Sequence, residues 1–477
     1  MRREAWTGEH AVRDVRYGVG DSLPLTSDFL LPTPYSLLPT PYSLLPTLYS
    51  LLLSFPLLFT AIAFAQLSLL ETGRLTLGHF IPVAVLAVCL VGAAWALSRW
   101  RPAHDRLLLP LVGIFCGLGL AEVARLAPAF PVGEPGEGGW LFLSTFLFRQ
   151  IIWLVLGILV LLVVVLVPGD LRWLRRYRYT WLFAGLALLA MTLVIGVNPS
   201  GFGARLWLGA RGIYFQPSEL LKLLLLVFLA SYLEDRREVL LEVEARVGRW
   251  QVPHPAYLGP MLLMWGFSML LLIWQRDLGA ALLFFGVFLA MLYAATGQGR
   301  YVLTGLALLL VAGIVGYRLF DHVALRVDAW WNPWQEASGR SFQIVQSLLA
   351  FASGNILGQG LGQGLPTAIP VVHTDFVFAA IGEEYGLVGG LAVVACFALL
   401  VGRAFHIALG ARRPFDQSLA AGIGALFGLQ SLVIMAGTLR VIPLTGVTLP
   451  FVSYGGSSLL TSMIMVGLLL HISSLRK

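Results

Sequence analysis

Apolar residues run along this chain in blocks of about twenty, separated by short polar stretches. The blocks fall at about 48–70, 79–98, 107–127, 146–167, 180–196, 217–234, 257–274, 278–296, 301–320, 376–401, 416–438 and 452–474. A block of that length is what an α-helix needs to cross a bilayer core, so the pattern predicts twelve membrane-spanning helices. Two stretches break the rhythm. From Leu30 to Ser50 a seven-residue unit repeats three times (LLPTPYS, LLPTPYS, LLPTLYS), and Pro32, Pro34, Pro39, Pro41 and Pro46 rule out a coiled coil. Residues 1–47 are therefore read as a disordered or extended Pro-rich tail. The second stretch, about 321–375, is too long for an ordinary connection. It carries Trp330, Trp331 and Trp334, an apolar piece from Ser341 to Phe351 and a series of glycines. Its apolar content predicts a re-entrant or interfacial segment with Trp at the headgroup level.

Composition agrees with a membrane protein. Of the 477 residues 58% are hydrophobic and 12% charged, and the mean hydropathy is +0.82. The net charge of +7 does not point to nucleic acid. The arginines lie in alternate short loops: Arg99, Arg101 and Arg106; Arg172, Arg175, Arg176 and Arg178; Arg236, Arg237, Arg246 and Arg249; Arg403, Arg412 and Arg413. With twelve spans these loops share one side, which loop-charge asymmetry makes the cytoplasm. Both termini are then cytoplasmic and the 321–375 loop faces outside. Cys89, Cys116 and Cys396 each sit in an apolar run and read as packing residues.

Against this background polar residues at helix mouths stand out, because a carboxylate at membrane depth costs about 2.5–3.5 kcal/mol and usually faces a cavity. His373-Thr374-Asp375-Phe376 leads into an apolar run bearing Glu383 and Glu384. Asp375 is the candidate catalytic carboxylate, and His373 reads either as a site residue or as a hydrogen-bonded structural one. Gln216-Pro217-Ser218-Glu219 with Lys222 opens another helix. Pro217 suits a first turn and Glu219 the positive end of the dipole. Lys222 is either a snorkelling lysine or, with Arg205, a cationic site for phosphate. Asp277, after Gln275-Arg276, reads most simply as an N-cap. Pro450 to Ser458, with Ser457, completes the set. No Gly-x-Ser-x-Gly elbow, Walker loop or His-Glu-x-x-His motif occurs.

These stretches together resemble the SEDS family (shape, elongation, division and sporulation). The matching residues are Gly203-Ala204-Arg205 with Trp207, Phe215 to Glu219 with Lys222, Gln275 with Asp277-Leu278-Gly279, Asn332-Pro333, Ser341 to Ser347, His373 to Phe376 with Gly382 to Glu384, and Pro450 to Ser458. The match begins near residue 107. Two positions depart: Val371 stands where the family often has Glu, and Leu206 where many members have Arg, which shifts that role to Arg205.

The resemblance implies an all-α polytopic membrane protein with a ten-helix core at 101–477 and two extra N-terminal transmembrane helices at 48–100. It implies a peptidoglycan glycosyltransferase of the cytoplasmic membrane that polymerises lipid II into glycan strands, with Asp375 catalytic. Arg205, Lys222, Glu219, Gln216, His373 and Ser457 are then candidates for substrate binding, and Asp277, Pro217 and Glu383 for structural roles. A class B penicillin-binding protein is the expected partner, and a divalent cation such as Mg2+ is a candidate to share the diphosphate charge. A precursor flippase or a non-enzymatic scaffold are the alternatives.

Overall fold

In a computed structural model of the chain, residues 41–126, 146–198, 205–210, 213–242, 244–247, 250–253 and 255–475 are described, those of 41–48, 210, 213, 237–258 and 260 by backbone alone. The apolar blocks are helical, as they must be if their backbone groups are to be satisfied away from water. They form α1 (Pro41–Thr72), α2 (Ile81–Trp100), α3 (Leu108–Leu126), α4 (Phe146–Leu166), α6 (Arg178–Ile195), α7 (Pro217–Glu242), α8 (Pro255–Trp274), α9 (Leu278–Thr296), α10 (Gly299–Leu319), α14 (Gly386–Gly410), α15 (Pro414–Thr438) and α16 (Gly456–Ser474). Shorter helices are α5 (Arg172–Arg176), α11 (Asp321–Trp331), α12 (Phe342–Gly354) and α13 (Val377–Glu384). Among the described residues ten helices are long and apolar enough to cross a membrane. Of the twelve predicted, α7 falls outside because it carries Glu219, Lys222 and Glu234, and α8 because its described apolar part, Met261–Trp274, is short. Two hairpins were not foreseen: β1 (Leu208–Ala210) with β2 (Ile213–Phe215), and β3 (Glu244–Val247) with β4 (Trp250–Pro253).

The chain divides into Met1–Leu48 and Tyr49–Lys477, and the bundle belongs to the second unit. The helix α1 starts at Pro41, inside the last repeats that were read as a non-helical tail. Proline at a first helical position loses no hydrogen bond, which suits Pro41, whereas Pro46, five residues on, leaves the Tyr42 carbonyl without its helical donor. The remainder of the tail, 1–40, lies outside the described residues.

Within the bundle α16 lies along α4, α14 against α15, α6 against α7, and α15 also meets α7 and α9. The helix α3 is apolar but for Glu122 and Arg125 and buried along nearly its whole length, as a central helix should be. Gly119 on α3 lets the segment near Val452 approach, since a Cβ there would stand 2.7 Å from the Val452 carbonyl oxygen.

The apolar block at 376–401 is continuous in sequence but broken in the fold. The helix α13 ends at Glu384, and α14 starts at Gly386, whose φ is +67°. Such a break strands backbone groups that only protein or water can satisfy. The glycine-rich end of the 321–375 loop supplies them. The amides of Gln359 and Gly360 donate to the carbonyls of Glu383 and Glu384 at 2.9 Å each, and those of Leu387 and Val388 donate to Asn355 and Ile356 at 3.0 and 3.1 Å. Side chains are excluded at this junction: a Cβ on Gly358, at φ +83°, would collide with the Glu384 and Tyr385 backbone. Ahead of it α12 packs on α13, α14 and α15, and Trp331 and Trp334 remain exposed.

Arg125, at the end of α3, locks the junction. Its Nε donates to Glu384 Oε1 at 3.0 Å and its Nη2 to the Gly364 carbonyl at 2.9 Å. Glu383 Oε1 accepts from the Leu365 amide at 2.8 Å.

Gly358→Ala is expected to destabilise the protein by about 2 kcal/mol or more, because strain at positive φ adds to a backbone clash. Gly313→Ala, which adds a methyl in open space, should be neutral or slightly stabilising. Thermal unfolding of the two purified variants in one detergent compares them directly.

Candidate active site

Two polar clusters lie at the same end of the bundle. The first is built on the arm leading into α13. Asp375 stands just before the helix, and its Oδ2 lies 3.6 Å from where a Cβ on Gly446 would be. The Ser453 hydroxyl donates to the Thr374 carbonyl at 2.6 Å, and the Tyr454 amide to the His373 carbonyl at 2.8 Å. The segment before α16 therefore grips the arm. His373 sits among rings, 4.8 Å from Phe146 and 5.8 Å from Tyr454 by ring centroid. Withdrawal from water pushes its pKa down to about 4, so the imidazole is neutral at neutral pH. The same effect raises the Asp375 carboxyl to about 6, against the opposing pull of a Thr374 hydrogen bond and the Arg326 charge. Arg326, on α11, is held in place by donating to the carbonyls of Leu444 at 3.5 Å and Thr445 at 3.2 Å. Arg149, on α4, hydrogen-bonds the Tyr454 hydroxyl.

Backbone strain flanks this cluster. Val371 has φ 59° and Phe451 φ 65°, a region bulky residues avoid.

The second cluster gathers at the mouths of α7 and α9. Pro217 is the first residue of α7, with Glu219 in its first turn. Lys222 Nζ meets Glu219 Oε2 at 2.7 Å and Gln430 Oε1 at 3.1 Å, and its side chain is only 3% exposed. Asp277 caps α9 by accepting from the Ala280 amide at 3.1 Å, while its other oxygen accepts from Ser218 at 3.2 Å and Gln216 at 3.5 Å. Burial raises the Asp277 carboxyl above the usual range. Ser457 accepts from the Gln216 amide at 3.3 Å. The 444–458 segment joins the clusters: Gln430 donates to Thr448, whose hydroxyl bonds Ser458 at 2.8 Å.

The fold rearranges part of the sequence reading. Glu383 and Glu384 do not converge with His373 and Asp375. They stand at the far end of α13, whose eight residues span about 12 Å, and they serve the helix break. Arg205 is exposed on the segment before β1, and no contact brings it to Lys222, which is buried and already paired. Gly203 and Ala204 lie outside the described residues. Arg326, Arg149, Gln430 and Ser453 were missed. Arg149 had one sequence signal, an arginine inside an apolar run.

Comparison with known proteins fits this arrangement. Residues 140–477 match the family of cell cycle proteins FtsW, RodA and SpoVE. The chain belongs to the FtsW/RodA/SpoVE family. It is 38% identical over 379 residues to a peptidoglycan glycosyltransferase RodA of Mycobacterium tuberculosis H37Rv, covering 79% of this chain and 80% of that one. To a probable peptidoglycan glycosyltransferase FtsW of Geobacter metallireducens it is 36% identical over 334 residues, 70% and 86% of the two chains. Among solved structures it superposes on a chain of a peptidoglycan synthase complex with TM-score 0.61, 30% identity and coverage of 78% and 97%. RodA of Thermus thermophilus gives TM-score 0.54, 28% identity and coverage of 78% and 96%. The family match begins just before α4, so α1, α2 and α3 precede it.

Lys222→Met leaves Glu219 without its cation and is expected to cost about 3–5 kcal/mol of stability. Adding Glu219→Gln should restore more than half of the loss. Unfolding midpoints of both single variants and the pair give the coupling, and additive losses would show that the two charges act independently.

Proposed function

We infer that this membrane chain is a peptidoglycan glycosyltransferase that polymerises lipid II into glycan strands. The observation that carries the reading is Asp375: a carboxyl without an ion pair among the described residues, drawn from water at the mouth of a broken helix, in a chain of this family. Glu384 is matched by Arg125 and Glu219 by Lys222, whereas Glu122, inside α3, is buried with neither oxygen bonded among the described residues, within the helix rather than at its mouth.

The chemistry asks for a base and for positive charge. An acceptor sugar hydroxyl attacks the anomeric carbon, a new C–O bond forms, and the bond to the lipid diphosphate breaks. Asp375 takes the hydroxyl proton, and direct displacement inverts the anomeric centre. Charge growing on the diphosphate is best met by Arg326, which is fixed beside Asp375 and opposes no acid on α13. Lys222 is half-neutralised by Glu219 and suits orientation better than charge stabilisation, with Gln216 and Ser457 around it. Arg205, being exposed, would meet the substrate at its soluble end. Rigid donors in a water-poor site act most strongly on such developing charge.

Among the described residues no three His, Cys, Asp or Glu side chains are arranged to hold a metal. A divalent cation such as Mg2+ would therefore be held mainly by the substrate diphosphate, whose charge it would share. The reading places Asp375 at the outer face and both termini in the cytoplasm, by the arginine asymmetry. A class B penicillin-binding protein is the proposed partner that crosslinks the product.

Asp375→Asn should abolish glycan synthesis from purified lipid II, at unchanged unfolding temperature. The wild-type rate should fall about tenfold per pH unit as pH drops through about 6, because the base form exists only above its pKa. Glycan strands at wild-type level from the Asn variant would remove the base assignment. Transbilayer movement of lipid II without strands would favour a flippase.

A further inference from the structure

The end of the bundle opposite Asp375 carries a basic cavity that the glycosyltransferase chemistry does not use. It measures about 720 Å³, and its lining includes Arg172, Arg175, Arg176, Arg178, Tyr179 and Asp235. Its place in the membrane follows from the chain. The helix α4 ends at Leu166 and α6 begins at Arg178, so α5 between them lies where two spans leave the apolar layer. Exposed Trp173, Tyr177 and Tyr179 suit that boundary, where aromatic rings gather.

Arginines in such a loop ordinarily do no more than set topology, but three observations go further. Three of the guanidinium groups are held in place: Arg175 pairs with Glu234 at 3.2 Å and Asp235 at 2.8 Å, Arg178 pairs with Asp235, and Arg172 pairs with Asp170, which it shares with Arg413. Arg176 has no carboxylate partner among the described residues; its guanidinium lies 5.8 Å from the Tyr177 ring. Below the cavity Tyr179 and Phe183, one turn apart on α6, present an exposed apolar stripe, Phe183 at 75%. Fixed forks and one uncommitted arginine suit a phosphodiester, and the stripe beneath suits acyl chains. A soluble phosphate would use only the first.

We propose that this cavity is a binding site for the headgroup of an anionic phospholipid in the leaflet opposite Asp375, with Arg176 as its principal recognition charge and Arg172, which shares Asp170 with Arg413, as its second. Basic pockets of this kind at membrane boundaries select anionic headgroups at about fivefold per arginine. The inference does not depend on the glycosyltransferase reading.

The full chain, purified in detergent with equal amounts of phosphatidylglycerol and phosphatidylcholine, is examined by native mass spectrometry for retained lipid. Wild type should favour phosphatidylglycerol, Arg176→Gln should reduce the preference about fivefold, and the Arg172→Gln/Arg176→Gln pair should nearly remove it. Arg340→Gln, in the loop before α12, should match wild type, as should wild type in 10 mM inorganic phosphate (a concentration of order chosen to saturate a weak anion site). An unchanged preference in the double variant overturns the proposal. So does displacement of phosphatidylglycerol by inorganic phosphate, which would make the site one for soluble phosphate. Equal loss of both lipids from the variants also overturns it, since charge would not be what is read.

Discussion

A helix interrupted inside an apolar bundle must have its loose backbone groups bonded, and that requirement organises this protein. The break between Glu384 and Gly386 is tolerated because the glycine-rich strand of the 321–375 loop bonds to it on both sides. The loop is thereby fixed to the bundle, and the arm it becomes can only enter α13 at one place. Asp375 owes its position to that closure. Arg125 completes it, because Glu384 would otherwise be a lone carboxylate facing α3. These polar contacts hold the arm and leave the Asp375 carboxyl outside them.

Several of the remaining charges follow one logic. A buried ion is costly unless paired, and the bundle pairs Lys222 with Glu219 and Asp105 with Arg403. Asp277 is satisfied in another way, as a helix cap that also gathers Ser218 and Gln216. Asp375 differs from all of these. Its neighbours include a hydroxyl, a glycine and an arginine that bonds backbone carbonyls, so its charge remains available to a substrate.

Much of the helical architecture was legible in the sequence, since twenty-residue apolar blocks have few other uses. The break at Tyr385 was not, because the block runs on through it; the only local hint was a glutamate pair followed by glycine. That pair also misled. Glu383 and Glu384 are near Asp375 in sequence, but a helix of eight residues separates what adjacency suggests. Lys222, Asp277 and Ser457 were each visible as polar residues at helix mouths, and the fold links Asp277 and Ser457 through Gln216. The cations near Asp375 were hidden for the opposite reason. Arg326 and Arg149 belong to α11 and α4, and only tertiary packing carries them to the arm, whereas Arg205 lay beside a motif and stands exposed, apart from Lys222.

Val371 and Phe451 hold left-handed backbone on either side of the site, a conformation that costs on the order of 1–3 kcal/mol each where glycine would pay little. Each precedes a residue that carries a key contact, Val371 the His373–Asp375 turn and Phe451 the Ser453 hydroxyl. The bundle spends folding stability to keep two side chains where a more relaxed sequence would have none. A glycine at Val371, whose side chain is exposed, would release that tension, whereas at Phe451 it would also remove a ring packed against Phe115 and Phe427. Relief at Val371 would also let the arm sample several orientations, so robustness and a single poised geometry pull in opposite directions there.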